Sequence, residues 1–171
     1  MPEQDTSAII GIINLYGFAV DTQYWDLFDR IFTADVDADF SATAHWPDRA
    51  SFKRDFALFH APFDSTQHAM LNHLVRVDGD KAHAFTYGNW RLIRKAVDGD
   101  PRWDGTGWYD DELVRTAEGW RISRRVCRII GWSGNPCVNE TIPGVKFALN
   151  TAVLRHEAAA GRLGFFKAIA G

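Results

Sequence analysis

The sequence predicts an α+β fold in which amphipathic helices come first and a meander of long antiparallel strands follows. Apolar residues recur at helical spacing through the N-terminal third of the chain. Beyond it, long segments of strand-like sequence are separated by short turns that contain Gly. These turns are Asp78-Gly79-Asp80, Asp98-Gly99-Asp100-Pro101 and Ala117-Glu118-Gly119.

Three helices are predicted ahead of the meander. The first runs from about Ser7 to Val20, after the N-cap candidates Asp5, Thr6 and Ser7. Thr22 is the candidate cap of a second helix, whose apolar side carries Trp25, Phe28, Ile31 and Phe32. A third helix begins at Pro47-Asp48 and ends at Pro62, and its apolar positions are Phe52, Phe56 and Phe59.

One strand is predicted between the second and third helices, from Val36 to Trp46. The meander strands are predicted at Thr66–Val77, Ala82–Ala96, Gly105–Arg115 and Trp120–Trp132. Ser133-Gly134-Asn135-Pro136 then breaks the sheet. We therefore expect residues 1–133 to form one domain and residues 134–171 to form a C-terminal extension with one helix at Thr151–Gly161.

Composition excludes several classes of function. The 171 residues carry a formal net charge of -3, so we expect no nucleic-acid partner and no contact with an anionic membrane surface. No apolar stretch is long enough to span a membrane, and the acidic N-terminus does not resemble a signal peptide. Cys127 and Cys137 imply no disulfide framework, which is typical of a reduced cytoplasmic protein. The spacing of His, Cys and acidic residues does not predict a metal site. The sequence has no phosphate-binding Gly loop, so no cofactor is predicted.

Arg128 stands out in the last predicted strand. Strict alternation there places Arg124 and Arg128 on a face that is otherwise apolar. A guanidinium in such a place needs a partner, because burying it unpaired is costly. Arg128 is either half of a structural salt bridge or an anchor for an anionic or carbonyl group in a pocket.

His68 shares a predicted strand face with Met70 and Asn72. A histidine and an asparagine among apolar neighbours indicate a polar spot in an apolar cavity, although a buried core histidine gives the same pattern. His73 points to the opposite face unless a bulge intervenes.

Asp21 lies where the first predicted helix stops. It either caps the second helix in place of Thr22 or orients an imidazole, since an Asp–His pair makes a general base near neutral pH. Tyr16 faces the same cavity only if the helix breaks near Asp21. It is then a hydrogen-bond donor to a carbonyl or enolate oxygen, and otherwise a core tyrosine.

The order of these segments resembles the SnoaL-like branch of the NTF2-like superfamily. The segments that carry the resemblance are Leu15–Asp21, Trp25-Asp26, Phe32–Asp35, Thr66–His73, Gly107–Tyr109 and Gly119–Ile122. The resemblance implies a curved antiparallel sheet wrapped around helices to form a cone. It also implies proton-transfer chemistry without a cofactor.

Members of this superfamily include scytalone dehydratase, hexachlorocyclohexane dehydrochlorinase and bile-acid 7α-dehydratase. The resemblance implies that their Asp–His pair falls on Asp21 and His68, and that a tyrosine and a late-strand arginine fall on Tyr16 and Arg128. Where some members place a further acid, this chain has Asn89-Trp90. That departure leaves the substrate of any one member open here.

The sequence therefore predicts a lyase of the dehydratase type with Tyr16, Asp21, His68 and Arg128 as its catalytic residues. The substrate is expected to be a bulky, apolar small molecule such as a polyketide, steroid, terpenoid or aromatic compound. Its predicted contacts are Trp25, Met70, Asn72, Trp90, Trp108 and Phe147.

Other functions stay open at this point. Isomerase or cyclase chemistry uses the same residues. The chain also resembles the non-catalytic small subunit of a ring-hydroxylating dioxygenase, and an interaction or transport module would show a broad exposed apolar patch. Family members imply a homo-oligomer, either a dimer or a trimer. The extension is expected to cover the pocket mouth through Val145, Phe147 and Leu149.

Overall fold

The computed structural model describes residues 2–146 and 148–170. The helices are α1 (Pro2–Asp21), α2 (Phe28–Ile31), α3 (Arg49–His60), α4 (Leu154–Ala159) and α5 (Gly164–Ala170). The strands are β1 (Phe32–Ser41), β2 (Ala44–Trp46), β3 (Ser65–Asp78), β4 (Lys81–Ile93), β5 (Arg102–Thr116) and β6 (Gly119–Gly134). Short 3₁₀ turns occupy Trp25–Leu27 and Pro136–Asn139.

The strands form a curved, open sheet in the order β2-β1-β6-β5-β4-β3. Within the described residues, β1 and β6 are parallel and the other neighbouring pairs are antiparallel. The N-terminal helices pack on the concave face of this sheet. The α+β prediction is confirmed, and the four meander strands lie within a few residues of their predicted bounds.

The N-terminal helices differ from prediction at their ends. The candidate caps before the first helix lie inside α1, where the carboxylate of Asp5 accepts hydrogen bonds from Arg115 and Trp120 instead. The hydroxyl of Thr22 donates to the carbonyl of Phe18 in α1, so it does not cap α2. α3 begins beside Pro47-Asp48 as predicted, and Asp48 caps it, because its carboxylate accepts from the backbone N–H of Ser51 at 2.8 Å.

The predicted strand Val36–Trp46 is a hairpin rather than one strand. β1 begins earlier, at Phe32, and a short turn after Ser41 leads back into β2. The second predicted helix is correspondingly reduced to a 3₁₀ turn and the single turn of α2. Phe28, Phe32, Phe52 and Phe56 then meet in the buried core beneath α3.

Bulges change which side chains face the core. In β3, Asn72 and His73 together oppose one residue of β4, and Asn72 has a positive φ of 50°. In β6, Ser123 and Ile130 are each inserted without a partner in β5. An inserted residue moves every later side chain to the other face of the sheet. The sequence alternation is therefore inverted beyond each bulge.

The C-terminal extension crosses from the cavity to the convex face of the sheet. In its described part it forms α4 and α5 in place of one predicted helix. The α5 residue Phe165 packs with Phe85 and Trp108 in a second buried cluster. The carboxylate of Asp110 accepts from the backbone N–H groups of Gly164 and Phe165, which caps α5.

No helix in the described part of the chain combines the length and the apolar character that a membrane crossing requires.

Candidate active site

A cavity of about 550 Å³ lies between the concave face of the sheet, α3 and the start of the C-terminal extension. Most of its wall is aromatic or aliphatic. The polar side chains at its inner end are Tyr16, His60, His68 and Tyr109. Val145 and Leu149, which were predicted to cover the mouth, line the cavity. Phe147, predicted both as a mouth contact and as a substrate contact, lies outside the described residues.

Asp21 and His68 are in direct contact. Asp21 ends α1, and its Oδ1 lies 2.7 Å from Nδ1 of His68 on β3. The same Oδ1 accepts from the Thr66 hydroxyl at 2.8 Å, and Oδ2 accepts from the backbone N–H of His68 at 2.8 Å. The carboxylate is thus held against both the side chain and the backbone of His68.

Gly17 allows α1 to approach β3 closely enough for this contact. A β-carbon at Gly17 would lie 2.8 Å from the carbonyl oxygen of His68. Asp21 follows one helical turn later and is therefore delivered to the same strand. The segment Leu15–Asp21 thus serves the site through its glycine as well as its carboxylate.

The Asp21 carboxyl stays ionised near neutral pH. Burial acts to raise its pKa, but the hydrogen bonds and positive charge of His68, with the bond from Thr66, outweigh burial and lower the pKa. A carboxylate only accepts hydrogen bonds, so Nδ1 of neutral His68 carries the proton. The other ring nitrogen, Nε2, is then the basic atom of a side chain that lines the cavity.

Tyr16 lies beside this pair, with its ring centre 6.3 Å from that of His68. Burial raises the pKa of Tyr16 well above its usual value, and the positive charge of Arg125 offsets only part of this. Tyr16 is therefore a neutral phenol that lines the cavity. Tyr109 is its neighbour, and the Tyr109 oxygen accepts from the indole N–H of Trp90 at 2.8 Å.

Arg125 and Asp111 form a fully buried ion pair behind the two tyrosines. Arg125 Nη2 lies 2.7 Å from Asp111 Oδ2, and Nε lies 2.8 Å from Oδ1. The guanidinium carbon is 4.3 Å from the ring centre of Tyr16 and 4.5 Å from that of Tyr109. These cation–π contacts fix both phenol rings in the cavity wall.

The predicted position of Arg128 is wrong. Its side chain lies outside the cavity, where Nη2 donates to Asp39 Oδ2 at 2.7 Å. The reason is the bulge at Ser123, which turns Arg125, Cys127 and Ile129 inward in place of Arg128. The salt-bridge alternative for Arg128 is therefore the correct one.

Among the predicted substrate contacts, Trp90 lines the cavity. Trp108 lies in the second cluster on the convex face, and Asn72 is exposed at the bulge of β3. Met70 packs against Gly17, and Trp25 packs against Phe28 at the edge of the core. Of these predicted contacts, four do not line the cavity: Trp108, Asn72, Met70 and Trp25.

The sequence interpretation did not consider His60 and Tyr109 as site residues. His60 follows Phe52 and Phe56 at intervals of four, so helical periodicity alone would have placed it on the buried face of α3. Tyr109 follows Trp108 in β5, so the prediction that Trp108 faces the cavity places Tyr109 on the opposite face, whereas the structure has Tyr109 in the cavity wall.

Among the described residues, no group of three His, Cys, Asp or Glu side chains has the arrangement of a metal site. Cys127 and Cys137 are free thiols, and Cys127 is buried in the cavity floor. Burial raises the pKa of the Cys127 thiol to about 12. This thiol is therefore protonated and a poor nucleophile at neutral pH.

Comparison with known proteins identifies related chains. The family model described as a SnoaL-like domain matches residues 4–126. An uncharacterised protein of Mycobacterium tuberculosis is 34% identical over 112 residues, which cover 65% of this chain and 76% of that protein.

Two solved structures are similar in sequence as well as fold. A protein from Kribbella flavida is 29% identical, with a TM-score of 0.71 over 77% of this chain and 94% of its own. A proposed aromatic ring hydroxylase from Novosphingobium aromaticivorans is 27% identical, with a TM-score of 0.68 over 79% and 96% of the two chains.

Two more distant structures share the fold. A hexachlorocyclohexane dehydrochlorinase is 16% identical, with a TM-score of 0.66 over 83% of this chain and 91% of its own. An NTF2-like superfamily protein from Salmonella enterica is 15% identical, with a TM-score of 0.67 over 74% and 92% of the two chains.

Proposed function

The chain belongs to the SnoaL-like domain family of the NTF2-like superfamily, and from that premise we propose that it is a cofactor-independent lyase of the dehydratase type. The observation that carries the proposal is the 2.7 Å contact between Asp21 and His68 at the inner end of an apolar cavity. An oriented, neutral imidazole beside a carboxylate is a general base suited to neutral pH.

The reaction begins at His68. Its Nε2 removes a proton from the carbon next to a carbonyl of the substrate. A C–C double bond forms as the bond from the neighbouring carbon to its hydroxyl oxygen breaks. The imidazolium, held by Asp21, returns the proton to the departing oxygen, and water leaves. Positioned proton transfer of this kind typically contributes about 10²–10⁴-fold in rate.

Tyr16 stabilises the charge that develops on the carbonyl oxygen. Its hydroxyl is a neutral donor in the cavity wall, and Arg125 behind its ring adds a fixed positive charge. A donor that is already oriented before the reaction needs little reorganisation in the transition state. Arg128 has no part in this mechanism, because its side chain is paired with Asp39 outside the cavity.

The cavity indicates a bulky, mostly apolar substrate. Its volume of about 550 Å³ exceeds that of a single aromatic ring and lies within the usual range for small-molecule sites. Phe40, Phe56, Phe59 and Trp90 form flat walls that suit a fused ring system. Isomerase and cyclase reactions begin with the same proton removal and remain part of the proposal.

The test uses 3-hydroxy-1-tetralone, a bicyclic β-hydroxy ketone that gives 1-naphthol when it loses water. We expect the wild-type protein to accelerate this loss above the buffer rate, as followed by naphthol fluorescence. Replacing His68 by Asn removes the base and is expected to lower kcat by about 10²–10⁴-fold. Asp21→Asn disturbs the orientation and proton position of His68 and is expected to have a similar effect.

His73→Asn is the matched control. His73 lies on the same strand, but its Nδ1 is 3.1 Å from the Thr86 hydroxyl and its side chain does not line the cavity. We expect this variant to keep the wild-type rate. Equal rates for the wild type and His68→Asn would reject the lyase proposal.

A second candidate is the non-catalytic subunit of a ring-hydroxylating enzyme. The supporting observation is the 27% identity to the proposed aromatic ring hydroxylase from Novosphingobium aromaticivorans. In that case the chain binds a larger oxygenase subunit, and His68→Asn has no effect on the activity of the assembly. Co-purification with an oxygenase subunit from the same cells distinguishes the two candidates.

A further inference from the structure

His60 is a second imidazole in the cavity, and the mechanism above does not use it. It is the last residue of α3, only 2% exposed, and its side chain lines the cavity. Its ring centre is 6.0 Å from that of His68. The His60 imidazole is surrounded by the aromatic rings of Trp25, Phe56, Phe59 and Phe63.

The helix fixes which nitrogen of His60 carries the proton. Nδ1 lies 2.8 Å from the carbonyl oxygen of Phe56, one turn earlier in α3. A carbonyl only accepts, so Nδ1 is the N–H donor and Nε2 is the acceptor. The Nδ1 edge of the ring faces its own helix, and Nε2 is the polar atom left for the cavity.

The imidazole of His60 is also held neutral. Burial and the neighbouring charge of His68 lower its pKa to about 3, although the carbonyl of Phe56 and the carboxylate of Asp21 oppose this. It does not become a donor near neutral pH. His60 is thus an acceptor with a fixed direction, whereas His68 changes its protonation during the reaction.

Nε2 of His60 has no hydrogen-bond partner among the residues that the structure describes. An acceptor that faces a cavity can bond to water there, and it is left unpaired at a cost when an apolar group displaces that water without supplying a donor. The phenylalanine rings around it carry no donor, and no hydrogen bond joins the indole of Trp25 to His60, so the donor comes from the contents of the cavity.

We propose that His60 accepts a hydrogen bond from a hydroxyl group of the bound molecule, so that the cavity selects hydroxylated ring compounds over compounds of similar shape with no O–H. The distance between the two imidazoles places this hydroxyl near the carbon from which His68 removes a proton. This inference adds a substrate class to the proposed function. It rests on that function because it takes this cavity to be the substrate site. His60 is then a specificity-determining residue.

The test is a binding experiment with 5-indanol and its methyl ether, 5-methoxyindane. The two probes share one ring system, and only the first has an O–H donor. Calorimetry at pH 7.5 gives Kd for each probe with the wild type and with His60→Phe. For each protein we take the ratio of Kd for the ether to Kd for the alcohol. The two probes differ in hydration, but this difference is the same for every protein and cancels when the ratios of wild type and variant are compared.

Phe fits the aromatic surroundings of His60 and removes both nitrogens. We expect His60→Phe to lower the ratio by about tenfold, since one neutral hydrogen bond to a buried acceptor is lost. Kd for 5-methoxyindane should change by less than about twofold. His60→Gln replaces the imidazole with an amide that still offers an acceptor, and we expect it to keep part of the preference. Thermal unfolding of each variant verifies that it is folded.

His68→Phe separates the two imidazoles. We expect this variant to keep the wild-type ratio, although it loses turnover. The proposal is overturned if the ratio falls in His68→Phe and not in His60→Phe, because His68 then accepts the hydroxyl. It is also overturned if the wild type binds neither probe, or if no variant changes the ratio. Failure of the lyase proposal shows instead as unchanged turnover in His68→Asn.

Discussion

Acidification should destabilise the protein through His60, and the size of the effect follows from its environment. The imidazole has a pKa of about 3 in the folded protein and an ordinary value of 6.5 when unfolded. Between these two values the unfolded chain binds a proton that the folded protein does not. The free energy of unfolding therefore falls as the pH falls through the unfolded value.

At pH 5 this proton lowers the free energy of unfolding by about 2 kcal/mol. The pH is then roughly 1.5 units below the pKa of the unfolded imidazole, and each unit is worth about 1.4 kcal/mol. This figure depends little on the folded value, which lies well below pH 5. At pH 8 the contribution is close to zero. The loss should continue to grow until the pH approaches the folded pKa.

Urea unfolding at pH 8, 7, 6 and 5, followed by far-UV circular dichroism, measures the effect. His60→Phe removes the titrating group, so its free energy of unfolding should fall by about 2 kcal/mol less than that of the wild type between pH 8 and pH 5. Other groups that titrate in this range, His73 among them, contribute to both proteins and cancel in the comparison. Parallel losses in the two proteins would refute the reasoning, since His60 would then not be held neutral by burial.

Three further predictions concern packing and reactivity. In urea unfolding, Gly17→Ala should destabilise the protein by about 1–3 kcal/mol, because its β-carbon would lie 2.8 Å from a backbone oxygen of β3. Gly11→Ala in the same helix is the control: its β-carbon would meet nothing within 4 Å, so the change should be neutral or stabilising by up to about 1 kcal/mol. Asp111→Asn leaves its buried guanidinium partner without a counter-charge and should cost about 3–5 kcal/mol of unfolding free energy in the same assay; a loss below about 1 kcal/mol would contradict the buried pair. A thiol reagent should modify the exposed Cys137 quickly in the native protein and the buried Cys127 only after unfolding, so two rapidly reacting thiols in the native state would show that the cavity floor is accessible.

Local sequence signals predicted much of the fold. The Gly-containing turns fixed the meander, and Asp48 marked the start of α3 because its side chain satisfies a free N–H at the helix end. The resemblance to the SnoaL-like family implied that Asp21 and His68 form a pair, and the two side chains meet. Their catalytic roles stay a prediction.

The faces of the long strands were harder to predict. A bulge depends on how two strands pair, and Ser123 and Ile130 carry no local mark that distinguishes them from their neighbours. The single inserted residue Ser123 places Arg125, and not Arg128, on the inner face of the sheet. His60 is a different case, because its spacing of four residues from Phe56 is visible in the sequence and predicts a place on the buried face of α3.

The C-terminal extension has contacts on both sides of the sheet. Val145 and Leu149 lie in the cavity wall, and α5 is held on the convex face by the carboxylate of Asp110. If a molecule that fills the cavity against Val145 favours the docked segment, then by reciprocity a docked α5 raises the affinity of the cavity for that molecule. Amide exchange at Phe165 therefore reports on cavity occupancy from the opposite side of the protein. Removal of α5 should raise the Kd of a bound molecule without altering any group that touches it.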